Sequence, residues 1–310
     1  MHFKKISVAL GVVLLGLLLI TTIVQGQDMQ IKKRVAVFSF QDKTDGRQHW
    51  WSGGSVGDGM SDMLITALVK SGRYQVMERG EIQKLLDEQS LGQSGVVTQE
   101  SAAKVGQMLG VELAVFGAVT EFGWAEGNVG GSLAKKGLGV GVKTSSATVA
   151  VDVRMVNTST GEIIAAENVR KQQSKKGISL STEKFDFDNR DKFDDSLVGK
   201  AAREAIETMV EIIHENMVNI PWQAKIIKAD ATVYINAGAS QGLQVGQVLN
   251  VFRPGEELID PDTGISLGSE ETKVGAVKIT NNNVGNNGKA SVCSIVSGSG
   301  FQRNDIVRLQ

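Results

Sequence analysis

The stretch GGSLAKKGLGVGVKTSS, residues 130–146, carries the residue types of a phosphate-cradling loop: closely spaced glycines, then Lys143-Thr144. Such a loop points backbone N–H groups and a lysine at an anion on a helix N-terminus, and it requires glycine just before the lysine. Val142 holds that position, and the residues that follow alternate like a strand. Nucleotide binding is therefore not expected there. A second glycine-rich run, SGGSVGDG at 52–59, does lead into a helix. A dinucleotide loop would follow the first strand directly, whereas about a dozen polar residues intervene here. Ser55 is read instead as the cap of that helix.

The other reactive residue types are sparse. DFDNRD at 186–191 has the start of a calcium loop, but Arg190 and Asp191 fall where an oxygen ligand and then glycine belong. It reads as a solvated acidic segment, and DPDTG at 260–264 as a turn. His49 and His214 lack a carboxylate or cysteine constellation in sequence, so neither a metal nor acid–base chemistry is expected. Cys293 has apolar neighbours, Val292 and Ile295, and reads as a small core residue. Trp50 and Trp51 form an aromatic pair suited to an interface loop or to packing of that loop onto its own domain. No set of residues meets the criteria for a catalytic site, and no cofactor is expected.

The elements that must position these residues fall into three parts. Residues 1–26 read as an export leader: MHFKK supplies the charge, ISVALGVVLLGLLLI the apolar run, and Val24 and Gly26 a small-residue cut site before Gln27. An uncleaved anchor is the alternative, because the apolar run approaches spanning length. No cysteine follows the leader, so a lipid anchor is not expected, and one cysteine in 310 residues rules out an intramolecular disulfide. The net charge of −1 argues against nucleic acid as a partner.

All three prolines lie beyond residue 220, which marks a domain boundary there. In 27–220, RVAVFSF (34–40), YQVME (74–78) and ELAVFGAVTEF (112–122) read as strands. Met60, Met63, Leu64, Ala67 and Leu68 give a helix closed by SGR at 71–73, GEIQKLLDEQSL a second, TQESAAKVGQMLG a third with Thr98 as N-cap, and Leu197, Ala201, Ala205, Met209 and Ile212 a long last one. Val149, Val151, Val153 and Met155 alternate with Asp152 and Arg154, and NTSTGE at 157–162 turns the chain into a return strand. The fold class is an α/β (α+β) sandwich domain with inserted β-hairpins. Residues 221–310 follow as a small all-β barrel, read from ATVYINAG, QVLNVFR, VGAVKIT, KASVCSIV and DIVRL. Its eight basic and eight acidic residues leave it neutral, which does not suit a phosphate-backbone binder.

RVAVFSFQDKT, GMSDMLITALVKSGRYQVMERGEIQKLLDEQSL, ESAAKVGQMLGVELAVFGAVTEF and VRMVNTSTGEIIAAENVRK occur in that order over 34–217. Together they resemble the curli production assembly/transport family, CsgG/HfaB type. INAGASQGLQVGQVLNVFRPGE and DPDTGISLGSEETKVGAVKIT resemble the small C-terminal β-domain of the flagellar assembly protein FlgT. The resemblance implies a non-enzymatic periplasmic domain that forms a homo-oligomeric ring, has envelope or secreted protein partners, and contacts the outer membrane. In the secretion members each subunit gives two hairpins to a shared barrel that exports unfolded fibre subunits without ATP. The hairpins would fall near 122–147 and 170–196. Phe122, Trp124, Leu138, Val140 and Val142 are then the candidate membrane or oligomer residues, with Trp50 and Trp51 the candidate interface loop. Both segments depart from a spanning pattern of ~9–11 alternating residues. LGVGVKT supplies about half a strand, and in 170–196 the phase slips at Phe185 and Phe187 amid Glu183, Asp186, Asp188, Asp191, Asp194 and Asp195.

Overall fold

The structure, a computed structural model, describes residues 31–44, 55–77, 110–129, 142–176, 190–259, 261 and 266–310. The helices expected from GEIQKLLDEQSL and TQESAAKVGQMLG lie outside these residues, as do Trp50, Trp51 and most of DPDTG.

β1 (Lys33–Val37) is buried on both faces, as its unbroken apolar run requires. It lies parallel to β3 (Tyr74–Val76) and to the first residues of β4 (Leu113–Val129). Helix α1 (Val56–Ser71) lies between β1 and β3 in the chain and provides the crossover that parallel neighbours need. The Ser55 side chain accepts from the Asp58 N–H at its start, and Gly72 ends it in the left-handed region with φ 67°. Both ends match the sequence reading. The short β2 (Gln41–Asp42), within the stretch read as loop, adds a parallel bridge to β4.

From β4 the sheet turns antiparallel. β5 (Val142–Asn157) pairs with β4 along its length, and β6 (Ile163–Lys176) pairs with β5, giving the order β3-β1-β4-β5-β6 with β2 also on β4. The hairpin expected at NTSTGE is present: the Asn157 N–H donates to the Glu162 carbonyl. After β6 come a short helix α2 (Arg190–Asp195) and the long α3 (Leu197–Val218). α2 occupies the acidic end of the expected second hairpin, 170–196, with helix in place of strand. It is held by an ion pair between Asp194 and Arg203 and by the Phe193 side chain, buried in the core. Gly199 permits this junction, because a side chain there would collide with the Phe193 carbonyl.

α1 and α3 cover one face of the sheet. Met60, Leu64 and Leu68 from α1 join Ala201, Ala205, Met209 and Ile213 from α3 against Val35, Leu113, Val115, Val119, Val149, Val151, Val153 and Met155. Four-residue steps from Ala201 carry the fully buried row of α3 to Ile213, and Ile212 packs half-buried against the same core.

The C-terminal part is a closed barrel of β7 (Gln223–Ala229), β8 (Val233–Ile235), β9 (Val248–Ile259), β10 (Ser266–Val284), β11 (Ala290–Gly298) and β12 (Ile306–Leu309). Around the barrel the order is β10-β11-β8-β7-β12-β9. Its core holds Ile226, Ile235, Leu243, Leu249, Val251, Val277, Ile279, Cys293 and Val307. The expected small barrel is thus present. β7 is the strand the sequence reading missed: in QAKIIKA the lysines mask a short alternation of Ala224 and Ile226 facing inward.

Candidate functional site

The feature that stands apart from the packed cores is the β4–β5–β6 ribbon. β4 and β5 pair from Leu113↔Asn157 out to Val129↔Val142, and β6 follows to Thr144↔Lys176. At ~3.4 Å per residue the 17 residues of β4 run about 55 Å, whereas the 22 residues of α3 run about 33 Å. Membership of the helix-covered core ends at Phe122 on β4 and Ala147 on β5. Residues 123–129 and 142–146 carry the pairing beyond it.

A β-bulge sets the phase of this extension. The register shifts between Val119 and Glu121, so an extra residue is inserted and Phe122 takes the inward position that simple alternation would give Glu121. Phe122 is 2% exposed and belongs to the core, so the structure places it beneath the helices rather than on the ribbon surface. Trp124 comes next on that face, half-buried and opposite Ala147. The alternation break at Glu121-Phe122 was the available signal for the bulge.

The opposite face is polar. Glu121, Ala150 and Arg170 form one cross-strand row, and the small Ala150 lets Arg170 reach over β5 to make a forked contact with Glu121 at 3.0–3.3 Å. The Asn168 amide donates to Asp152 at 2.6 Å in the next row. At the far end of β6, Lys175 and Lys176 are exposed. On the helix-facing side Gln173 donates to Glu204 of α3. Leu138 and Val140 lie outside the described residues, as does the remainder of the second expected hairpin at 177–189. Val142 is placed by its backbone pairing with Val129.

Of the titratable groups named from the sequence, His214 and Cys293 have structural surroundings, and His49 lies outside the described residues. The Tyr74 hydroxyl and His214 Nδ1 are 3.0 Å apart, tying β3 to α3, and burial pushes the tyrosine up to about 12. Cys293 is fully buried, and burial pushes its thiol up to about 12. It should therefore resist a thiol reagent at pH 8 in the folded protein and react only after denaturation; prompt labelling without denaturant would contradict this placement. Among the described residues, no group of three or more metal-ligating side chains is gathered. No helix among them is long and apolar enough to cross a membrane, which says nothing of strands.

Sequence reasoning missed the most buried ion pair among the described residues. Glu112 is 1% exposed and accepts from the Arg34 N–H at 2.6 Å, with the Arg34 guanidinium 3.4 Å from its other oxygen. Burial raises the Glu112 carboxyl above its ordinary value, and Arg34 draws it back only in part. In the barrel, Asp305 accepts two bonds from Arg253 at 2.8–3.0 Å, closing β9 onto the loop before β12.

Fold and ribbon together define a mixed α/β protein that extends an antiparallel β-ribbon from one end of its sheet and carries a small closed barrel. The chain belongs to the curli production assembly/transport component CsgG family, whose model matches residues 18–234. The match ends within β8, so the likeness of the whole barrel to that of the flagellar protein rests on the sequence reading. The chain is 28% identical over 147 residues to the curli production assembly/transport component CsgG of Salmonella typhimurium strain LT2, covering 44% of this chain and 52% of that protein. The figures are the same for the Escherichia coli K12 protein. The chain thus spans about half the length of the curated relatives it matches. Among solved structures it is similar to the hypothetical protein CT253 from Chlamydia trachomatis. That likeness has a TM-score of 0.39 and 15% identity, covers 60% of this chain and 97% of the other, and carries no functional argument.

Proposed function

We propose that this protein is an exported, non-enzymatic assembly or secretion component of the curli type. It works in the periplasm against the outer membrane as a homo-oligomeric ring or scaffold. Its α/β domain runs over 27–220 and its barrel domain over 221–310, the latter serving as a docking module. The observation that carries this reading is the in-register extension of β4 and β5 past the core, to Val129↔Val142. Paired strands that outrun their own core are marginal alone and leave a backbone edge to be completed by another surface. In the fullest form of the proposal, ribbons from several copies join into a pore that exports fibre or adhesin subunits, with envelope proteins as further partners.

A second reading, a periplasmic envelope- or flagellum-associated binding protein without a pore, draws on the charge of the ribbon. Glu121, Arg170, Lys175 and Lys176 lie along it, and a lysine or arginine facing lipid at the midplane costs ~2–4 kcal/mol. Fractionation with size determination separates the two. A detergent-requiring outer-membrane ring supports the first, and a monomer that is soluble without detergent supports the second. A soluble monomer rejects both ring and pore. Deleting 125–145 should abolish assembly and membrane association together; if both persist, the ribbon is not the working element.

A further inference from the structure

Residues 31–34, Ile-Lys-Lys-Arg, look in the sequence like a solvated basic start to the folded chain. In the structure each residue makes a different attachment. Ile31 packs, half-buried, against the barrel core. Lys32 donates its backbone N–H to the Gln241 carbonyl, in a one-turn 3-10 helix of the barrel, at 2.9 Å. Lys33 donates through Nζ to the Met217 carbonyl in the last turn of α3, where free carbonyls and the helix dipole favour a cation. Arg34 donates its N–H to Glu112 and reaches from Nη2 to the Gln223 carbonyl of β7 at 2.9 Å. Gln223 in turn donates from Nε2 to Ser159 Oγ, in the β5–β6 turn, at 2.8 Å.

The second chain crossing is equally tight. Ile220 is buried in the sheet core and Trp222 in the barrel core, with only Pro221 between them. Proline fixes its own φ, so this connection has little freedom to swing. Around the junction, burial and the neighbouring Arg34 hold Lys225 below its ordinary value, and burial does the same to Lys33 against the pull of Glu112. Arg34 and Lys33 thus lie near the buried Glu112 carboxylate, and Lys225 lies near Arg34. An arginine suits the centre of such a junction, because its planar fork offers several N–H donors to a carboxylate and a carbonyl at once.

We infer that residues 31–34 form a clasp that holds the barrel in one orientation on the sheet. The barrel is then a fixed extension of the α/β unit, and a partner bound to it is held at a set position relative to the ribbon. This inference does not depend on ring or pore formation.

The test is a distance measurement between spin labels at Val69→Cys on α1 and Val245→Cys on the barrel. Both positions are exposed, at 57% and 60%, while the native Cys293 is buried. Dilution with unlabelled protein removes distances between copies. The protein with native Arg34 should give a single narrow distance. Arg34→Lys, which keeps the charge but loses the fork, should broaden or split it. Should that variant not fold, the double variant Lys33→Met, Gln223→Ala is the second perturbation, with the same expected broadening. A broad distribution with Arg34 intact, or an unchanged narrow one in the variant that folds, overturns the clasp.

Discussion

Replacing Glu112 by alanine is expected to lower the free energy of unfolding by about 3–5 kcal/mol, the usual cost of stranding one charge of a buried pair. The size of the effect comes from the partner left behind. Arg34 is 7% exposed and cannot turn to water without disturbing β1. Its N–H would also lose the acceptor it has at 2.6 Å. Urea unfolding with a matched slope checks the figure, and a loss below about 1 kcal/mol, the range of surface pairs, would show that Arg34 finds another partner or reaches solvent.

The isosteric Glu112→Gln separates charge from shape. Burial raises the folded-state value of Glu112 above its ordinary 4.5, so folding favours the protonated carboxyl. That contribution is fully present below the unfolded value and is lost as pH rises through the higher folded value. The stability of the glutamine variant relative to the parent should therefore rise across that window and level off above it. A difference independent of pH would mean that Glu112 titrates alike in both states.

Phe122→Ala is expected to destabilise the fold by about 3–5 kcal/mol, as large-to-small changes of buried aromatics do. Phe122 is among the largest fully buried side chains and sits where the bulge has turned β4 to keep its apolar face under the helices. The removed ring leaves a cavity between sheet and helices that neighbouring side chains fill only in part. The same variant also tests the role of Phe122 in the ribbon. If its work were at a lipid or subunit surface, the isolated chain would unfold like the parent and only assembly would suffer. Unfolding curves paired with size measurement distinguish these outcomes, and unchanged stability would remove Phe122 from the core.

Much of the scaffold was legible because it rests on local periodicity. Val149, Val151, Val153 and Met155 fix a strand with one buried face, Ser55 and Gly72 fix the ends of α1, and Leu197 through Met209 fix the long α3. β7 escaped because lysines interrupt its run, and α2 because six residues with three acids carry no helical pattern of their own. The extent of the ribbon was legible only in part. Gly123, Trp124 and Ala125 give no clear alternation, and their strand conformation depends on pairing opposite Thr148, Ala147 and Ser146 across the hairpin.

The order of motifs over 34–217 and the chemistry missing from the glycine-rich stretch were properties of the sequence alone, since both depend on which residues are neighbours in the chain. They led to the family, and away from nucleotide binding at that stretch. The placing of Phe122 inside the core, the pairing of Arg34 with Glu112 across 78 residues, and the attachment of 31–34 to the barrel were decided only in the tertiary structure. The reason is physical. A buried charge or a shifted strand phase is tolerable only when a distant segment supplies the matching group, and no local pattern encodes where that segment will lie.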